Sequence, residues 1–288
     1  MAGRKRGWRA ARRCLPPAVF SLLGWLLLAL LRGAVNPGPG LWYLMEAVGL
    51  GAFVALPAWA GLTSPGGAGA GSLPLGRVTP AHVFSALVCG ALFAAPASLL
   101  RDLAAAVTGY AGVPPEPPGA GFVFALALGA LAVPACHAVF YRGYLEGALR
   151  AFGRAAFVLP AALFALSGGC AADMLPRFSL GLMLSAIARR HASLISSAAA
   201  HGAFLCTGLF ASSLLPDALV SGRGLAAALL RVLLSFAWYL SFRKTYAMDA
   251  AAGRFEPREL LRLSAKDRAV LAAAAALTLA SGIWGVLE

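Results

Sequence analysis

The sequence predicts an all-α fold, a polytopic transmembrane helical bundle of about eight or nine membrane segments. Three observations predict it. Of the 288 residues, 60% are hydrophobic and only 12% charged, whereas a soluble domain carries about 25% charged residues. Mean hydropathy is +0.78, so a water-soluble globule would expose too much apolar surface. The basic residues also cluster between apolar runs rather than along one face, the pattern of a chain crossing a bilayer repeatedly.

Residues 1–14 form a basic N-terminus, with six Lys or Arg in MAGRKRGWRAARR. The apolar run Leu15–Leu31 is long for the apolar region of a signal peptide. The following LRGAVNPGPG offers no A-x-A-like cleavage site, so this run reads as an uncleaved first transmembrane helix. Further apolar runs cover roughly 41–62, 81–100, 121–140, 155–168, 178–188, 192–212, 225–241 and 269–287. Those at 155–168 and 178–188 are short for a span of about 20 residues; they borrow flanking residues or form partial helices. The organisation is then a bundle over 15–241, a basic loop over 242–268 and a final helix with the C-terminus over 269–288. Within that loop, EPRELLRLSAKDR fits a short interfacial helix with Leu260, Leu261 and Leu263 toward lipid. The Gly and Pro rich stretches 63–79 and 111–120 read as loops. No internal repeat or soluble domain is evident.

With nine crossings and a cytoplasmic N-terminus, 19 of the 24 Lys and Arg fall on the cytoplasmic side. They are the first six, then Arg77, Arg142, Arg150, Arg154, Arg189 and Arg190, and seven between 243 and 268. Arg32, Arg101, Arg177 and Arg223 fall outside, and Arg231 lies within a span. The asymmetry obeys the positive-inside rule. A net charge of +13 also suits nucleic acid in principle. The charges alternate with membrane spans and no nucleic-acid module is present, so the lipid bilayer is the expected partner and nucleic acid is not. The five cysteines, at 14, 89, 136, 170 and 206, form no C-x-x-C pair and read as buried small hydrophobes.

Ionisable groups in a membrane segment are costly, at least about 2.5–3.5 kcal/mol for Arg, Lys or Asp at a helix centre. The candidates are Glu46, His82, His137, Arg142, Glu146, His201 and Arg231. His137 and Tyr141 share a helical face. Arg142 and Glu146 are also four apart, and the plain reading is a cytoplasmic interface arginine neutralised by its own helix. His201, in ISSAAAHGAFLCTGLF, follows a face of small residues that favours close helix packing, so it faces protein. Its plain reading is a neutral histidine bonded to another helix; the functional one is a ligand, general base or oxyanion donor. The sequence names no partner for Arg231.

Three stretches line up in order. HAVFYRGYLEGAL (137–149) resembles the first motif, E-E-x-x-x-R-G, of the CPBP family, the CAAX-protease and bacteriocin-processing (Abi-like) membrane proteins. LFALSGG (163–169) resembles its second motif, F-x-x-x-H. RFSLGLMLSAIARRHASLISSAAAHGAFL (177–205) resembles its third, an apolar helix, a basic turn and a helix with H-x-x-x-N. The resemblance covers about 121–212. It implies an intramembrane endopeptidase in which a glutamate pair activates water, while histidine and asparagine stabilise the oxyanion or help hold a metal. On these motifs the glutamates fall on His137 and Ala138, the second-motif histidine on Gly168 and the third-motif asparagine on Leu205. Arg142 and His201 alone keep the family residue at these polar positions.

Water activation needs a base and charge stabilisation needs placed donors. His137 is chemically able to serve as a base, but Ala138, Gly168 and Leu205 supply no polar side chain. Two histidines fall short of the three protein ligands of a catalytic zinc, so neither metal nor other cofactor is expected. The degenerate-motif positions His137, His201 and Arg142 are the candidate catalytic residues. The leading expectation is a catalytically impaired member of the family that binds a membrane protein or peptide. The alternatives are an active endopeptidase with histidine-based chemistry, and a transporter or other polytopic protein in which the motif match is a coincidence of Arg and His at helix ends, a reading that positions 137 and 201 lying far apart would favour. The expected location is a bacterial cytoplasmic membrane, multi-pass with the N-terminus cytoplasmic.

Overall fold

The structure, a computed structural model, describes residues 2–35, 39–64, 73–108, 126–150, 155–168, 171–214 and 225–246. Among the described residues it is helical, apart from one isolated bridge between Leu75 and Ser193. Helix α1 is Ala2–Val35, and α2 (Pro39–Leu50) runs through a π-helical turn, Gly51–Ala55, into α3 (Leu56–Thr63). After a loop come α4 (Pro80–Leu92) and α5 (Ala94–Thr108). One further helical stretch comprises π turn Leu128–Ala132, α6 (Val133–His137), π stretch Ala138–Leu145 and α7 (Glu146–Ala148). Then follow α8 (Ala155–Leu166), α9 (Ala171–Arg190), α10 (Leu194–Leu214) and α11 (Leu225–Tyr246).

Four segments are long and apolar enough to cross a membrane: Arg13–Val35, Leu41–Thr63, Pro80–Val107 and Ala226–Arg243. Ala156–Leu166 and Leu194–Phe210 are apolar but shorter. The described residues therefore provide four clear crossings toward the eight or nine expected, and the run at 269–287 and most of the loop at 242–268 lie outside them. The run expected at 178–188 is the later part of the 20-residue α9, which begins at Ala171 and carries Pro176 inside it. Proline is tolerated there because neighbouring helices re-satisfy the freed backbone group. Large apolar side chains remain exposed along the spans, among them Leu27, Leu30, Trp59, Phe84, Leu233 and Phe236, the surface that lipid covers.

Helix α10 packs on α4, α6 and α9, and α9 packs on α8 and α5. Small residues set these distances, the usual device where lipid removes the hydrophobic drive between helices. A Cβ on Gly90 of α4 would fall 1.9 Å from the Ala200 carbonyl oxygen of α10. One on Gly181 of α9 would meet Ala161 of α8 at 2.9 Å. One on Gly202 of α10 would meet the Ala130 carbonyl at 2.6 Å. The core around these contacts holds Phe93, Phe140, Tyr141, Phe164, Leu180, Leu184 and Ile187, all fully or nearly fully buried.

The candidate polar residues away from this centre find partners. Arg32 of α1 meets Glu46 of α2 at 2.6 Å and lies over the Trp42 ring. Arg231 of α11, whose partner the sequence left open, donates to Asp102 of α5 at 2.7 Å. His82 stacks on His191, ring centroids 4.3 Å apart.

The two histidines flank a clasp between the segment before α4 and the α9–α10 turn. The Gly76 N–H donates to the Ala192 carbonyl and the Leu194 N–H to the Pro74 carbonyl, each at 2.9 Å. Ala192 takes a left-handed φ of 48° to close the turn, a conformation uncommon without glycine. Burial pulls the His191 imidazole below its ordinary 6.5, with His82 and Arg190 pushing the same way. A lowered folded-state value means that protonation is harder in the folded clasp than in the open chain. The stability it contributes is complete above 6.5 and is lost as pH falls through the lowered value. Amides of residues 75, 76, 193 and 194 are expected to lose exchange protection between about pH 7 and pH 5, after correction for intrinsic rates. His191→Gln should flatten that dependence; equal protection at both pH values would refute it.

Candidate functional site

The site grows out of a local departure from the α-helix. In an α-helix, residues five apart differ by about 140° around the axis, so His137 and Arg142 would point to different sides. The π stretch Ala138–Leu145 widens the helix, and its last backbone bond runs from the Glu146 N–H to the Tyr141 carbonyl. His137 and Arg142 thereby both flank Phe164 of α8. π segments are rare and frequent at functional sites, and nothing in the sequence pattern announced this one.

Phe164 is the hub. Its ring lies edge-on to His137 at 5.3 Å, Tyr141 at 5.4 Å and His201 at 5.6 Å between centroids. The Arg142 guanidinium lies 4.8 Å and the Arg177 guanidinium 5.9 Å from the same ring centroid, within cation–π range. His137 and His201 stack, rings 5.5 Å apart and 15° from parallel. His137, Arg142 and His201 are 6%, 3% and 3% exposed. The structure thus brings all three sequence candidates into one buried centre. The separation of 137 and 201 that would favour the transporter alternative is not what the structure shows.

The other motif positions also resolve. Ala138 is buried beside His137. Leu205 of α10 packs toward Gly129, where a Cβ would lie 3.8 Å from its own. Gly168 leaves a gap that Arg177 fills: a Cβ there would fall 2.6 Å from the Arg177 Cδ and 2.7 Å from its Nε. Arg177 is the residue that sequence reasoning missed. The apolar run read over 178–188 left Arg177 in an outer segment, whereas α9 begins at Ala171 and carries the side chain across Gly168.

The expected Arg142–Glu146 neutralisation is corrected by the geometry. Arg142 Nη2 donates to the Gly181 carbonyl at 3.2 Å. The Glu146 carboxylate instead accepts from Arg189 of α9 at 2.5 Å, so Glu146 is tied across helices rather than along its own. The π register and the close passage of α9 decide this outcome. Both nitrogens of His137, Nε and Nη1 of Arg142 and Nδ1 of His201 have no hydrogen-bond partner.

No group of three or more His, Cys, Asp or Glu able to hold a metal occurs among the described residues. Two histidine donors beside two guanidinium cations do not fit a catalytic zinc, which takes three protein ligands, and no step is routed through a metal.

Fold and site define a helical integral membrane protein with a buried histidine–arginine centre where four helical segments meet. Residues 119–207, which contain all of that centre, match the family model described as type II CAAX prenyl endopeptidase Rce1-like. The chain is thus a membrane protein similar to CAAX proteases through its central segment. No curated protein and no solved structure matches it.

Proposed function

We propose that this protein is a catalytically impaired CAAX-protease-like membrane protein that binds a ligand in the His137–His201 centre without hydrolysing a peptide bond. The observation that carries the reading is the absence of a carboxylate beside the two histidines, among the described residues. Glu146, the buried carboxylate of the same helical stretch, is engaged by Arg189. A histidine acting as general base is usually held in position by a third group that accepts its other N–H. Here His137 has no hydrogen-bond partner at either nitrogen, and its ring is stacked face to face on His201. The basic clusters support a cytoplasmic N-terminus on the positive-inside rule.

The proximity of the two histidines is the observation that favours a histidine-based endopeptidase instead, and one assay separates the two. The protein in nanodiscs is incubated with prenylated-peptide and membrane-protein substrates, alongside His137→Ala and His201→Ala. Cleavage no greater than in the two variants is expected. Cleavage that disappears in both variants would overturn the proposal and make the histidines catalytic.

A further inference from the structure

The buried centre gathers two guanidinium groups around one ring and, among the described residues, no carboxylate bonded to either of them. An arginine cannot be deprotonated in a protein, and an isolated buried charge is paired or hydrogen-bonded wherever it persists. Arg142 is 3% exposed, yet among the described residues one backbone carbonyl is its only hydrogen-bond acceptor, and Nε and Nη1 have none. Among the described residues neither Arg142 nor Arg177 forms an ion pair within 4 Å, whereas Asp173, one turn from Arg177, is taken by Arg101 at 2.7 Å. His137 and His201 flank the same Phe164 ring as the two guanidinium groups, with three ring nitrogens unbonded among the described residues. The guanidinium nitrogens are donors only, and each neutral imidazole presents one N–H and one lone pair, its tautomer deciding which nitrogen donates. Two guanidinium groups and an imidazole N–H form a donor set complementary to an oxyanion.

The remaining lining is apolar and aromatic, Phe164, Tyr141 and Phe140. A ligand reaching a centre enclosed by membrane helices brings an apolar body with it.

We infer that the Arg142–Arg177–His137–His201 cluster is a binding site for the oxyanion headgroup, carboxylate or phosphate, of a bilayer-soluble amphiphile. This deepens the binding role proposed above and rests on it for the ligand occupying that centre. The anion would accept from Arg142 and from a histidine, with Arg177 closing over it from Gly168.

The test is equilibrium binding to the purified full chain in neutral detergent. Radiolabelled oleate is the probe. Unlabelled oleate, phosphatidic acid, inorganic phosphate and the uncharged oleyl alcohol are the competitors. Saturable binding is expected, displaced by oleate or phosphatidic acid and not by oleyl alcohol. It should weaken about tenfold or more in Arg177→Gln and in His201→Gln, the loss of one charge-assisted bond. Displacement by inorganic phosphate at comparable concentration would assign the site to free anions; displacement by amphiphiles alone assigns it to lipids. Arg177→Gln is the informative variant because this side chain is partly exposed and glutamine keeps much of its aliphatic stem across Gly168; a matching melting temperature verifies its fold. Binding that oleyl alcohol displaces equally, unchanged binding in both variants, or no saturable binding would overturn the inference. A protein that cleaves peptides yet binds oleate in this way would overturn only the impaired-catalysis reading.

Discussion

Gly90→Leu is expected to leave the protein unable to hold α4 against α10. The contact at Gly90 is with backbone: the built Cβ lies 1.9, 2.6 and 2.8 Å from the carbonyl oxygen, carbonyl carbon and Cα of Ala200. A rotamer change in a neighbour cannot relieve it. The helices must separate, and separation opens the core at Phe93, Cys89 and Met183, which pack beside this crossing. Overpacking of a fixed core costs about 1–3 kcal/mol, occasionally more, and the backbone clash places Gly90→Leu at or above about 3 kcal/mol. Gly208→Ala is the matched control. It lies on the same α10, and nothing is within 4 Å of its built Cβ. There the helix propensity of alanine gives a gain of up to about 1 kcal/mol. Melting temperatures in one detergent measure both. A Gly90→Leu protein as stable as the parent would show that α4 and α10 do not meet as described.

Glu146→Ala is expected to have the second largest effect. The Glu146 side chain is 8% exposed and its partner Arg189 40%, so the carboxylate is the deeper half of the pair. Removing it frees Arg189 to turn outward, but it also removes the negative charge closest to Arg142, which is fixed in the core. Breaking a buried pair from one side costs about 3–5 kcal/mol; the exposure of Arg189 lowers the expectation to about 2–3 kcal/mol. Asp173→Ala provides the contrast. Its pair with Arg101 is 50% and 28% exposed, and surface pairs contribute about 0–1 kcal/mol. Equal losses in the two variants would mean that the Glu146 site is solvated.

The all-helical membrane class was legible because composition decides it. The identity of the polar centre was also legible: His137, Arg142 and His201 stand out as ionisable groups in apolar sequence, and they do converge. Their partners were not. The spacing of Arg142 and Glu146 argues for a pair along one helix, and the cross-helix tie to Arg189 depends on how closely α9 passes, which Gly181 and Ala161 set. Arg177 was hidden because the apolar run begins only at 178, which leaves this residue in an outer segment although α9 starts at Ala171. Phe164 looked like one apolar residue among many until three rings and two guanidinium groups were found around it. The number of crossings was the least legible quantity. Short runs such as 155–168 become spans only when tertiary packing supplies the rest of their length.

The π stretch Ala138–Leu145 bears on how such a motif is inherited. A letter-by-letter comparison treats His137 and Arg142 as two independent characters. In this helix they cooperate only because the widened turn brings positions five apart to one side. The site is therefore encoded in chain length as much as in residue identity. Losing a single residue anywhere between 138 and 141 would restore ordinary helical spacing and alter which side chains meet Phe164, while leaving every polar letter of the motif in place. A one-residue deletion there is therefore expected to disrupt the centre as surely as replacing His137 or Arg142 would.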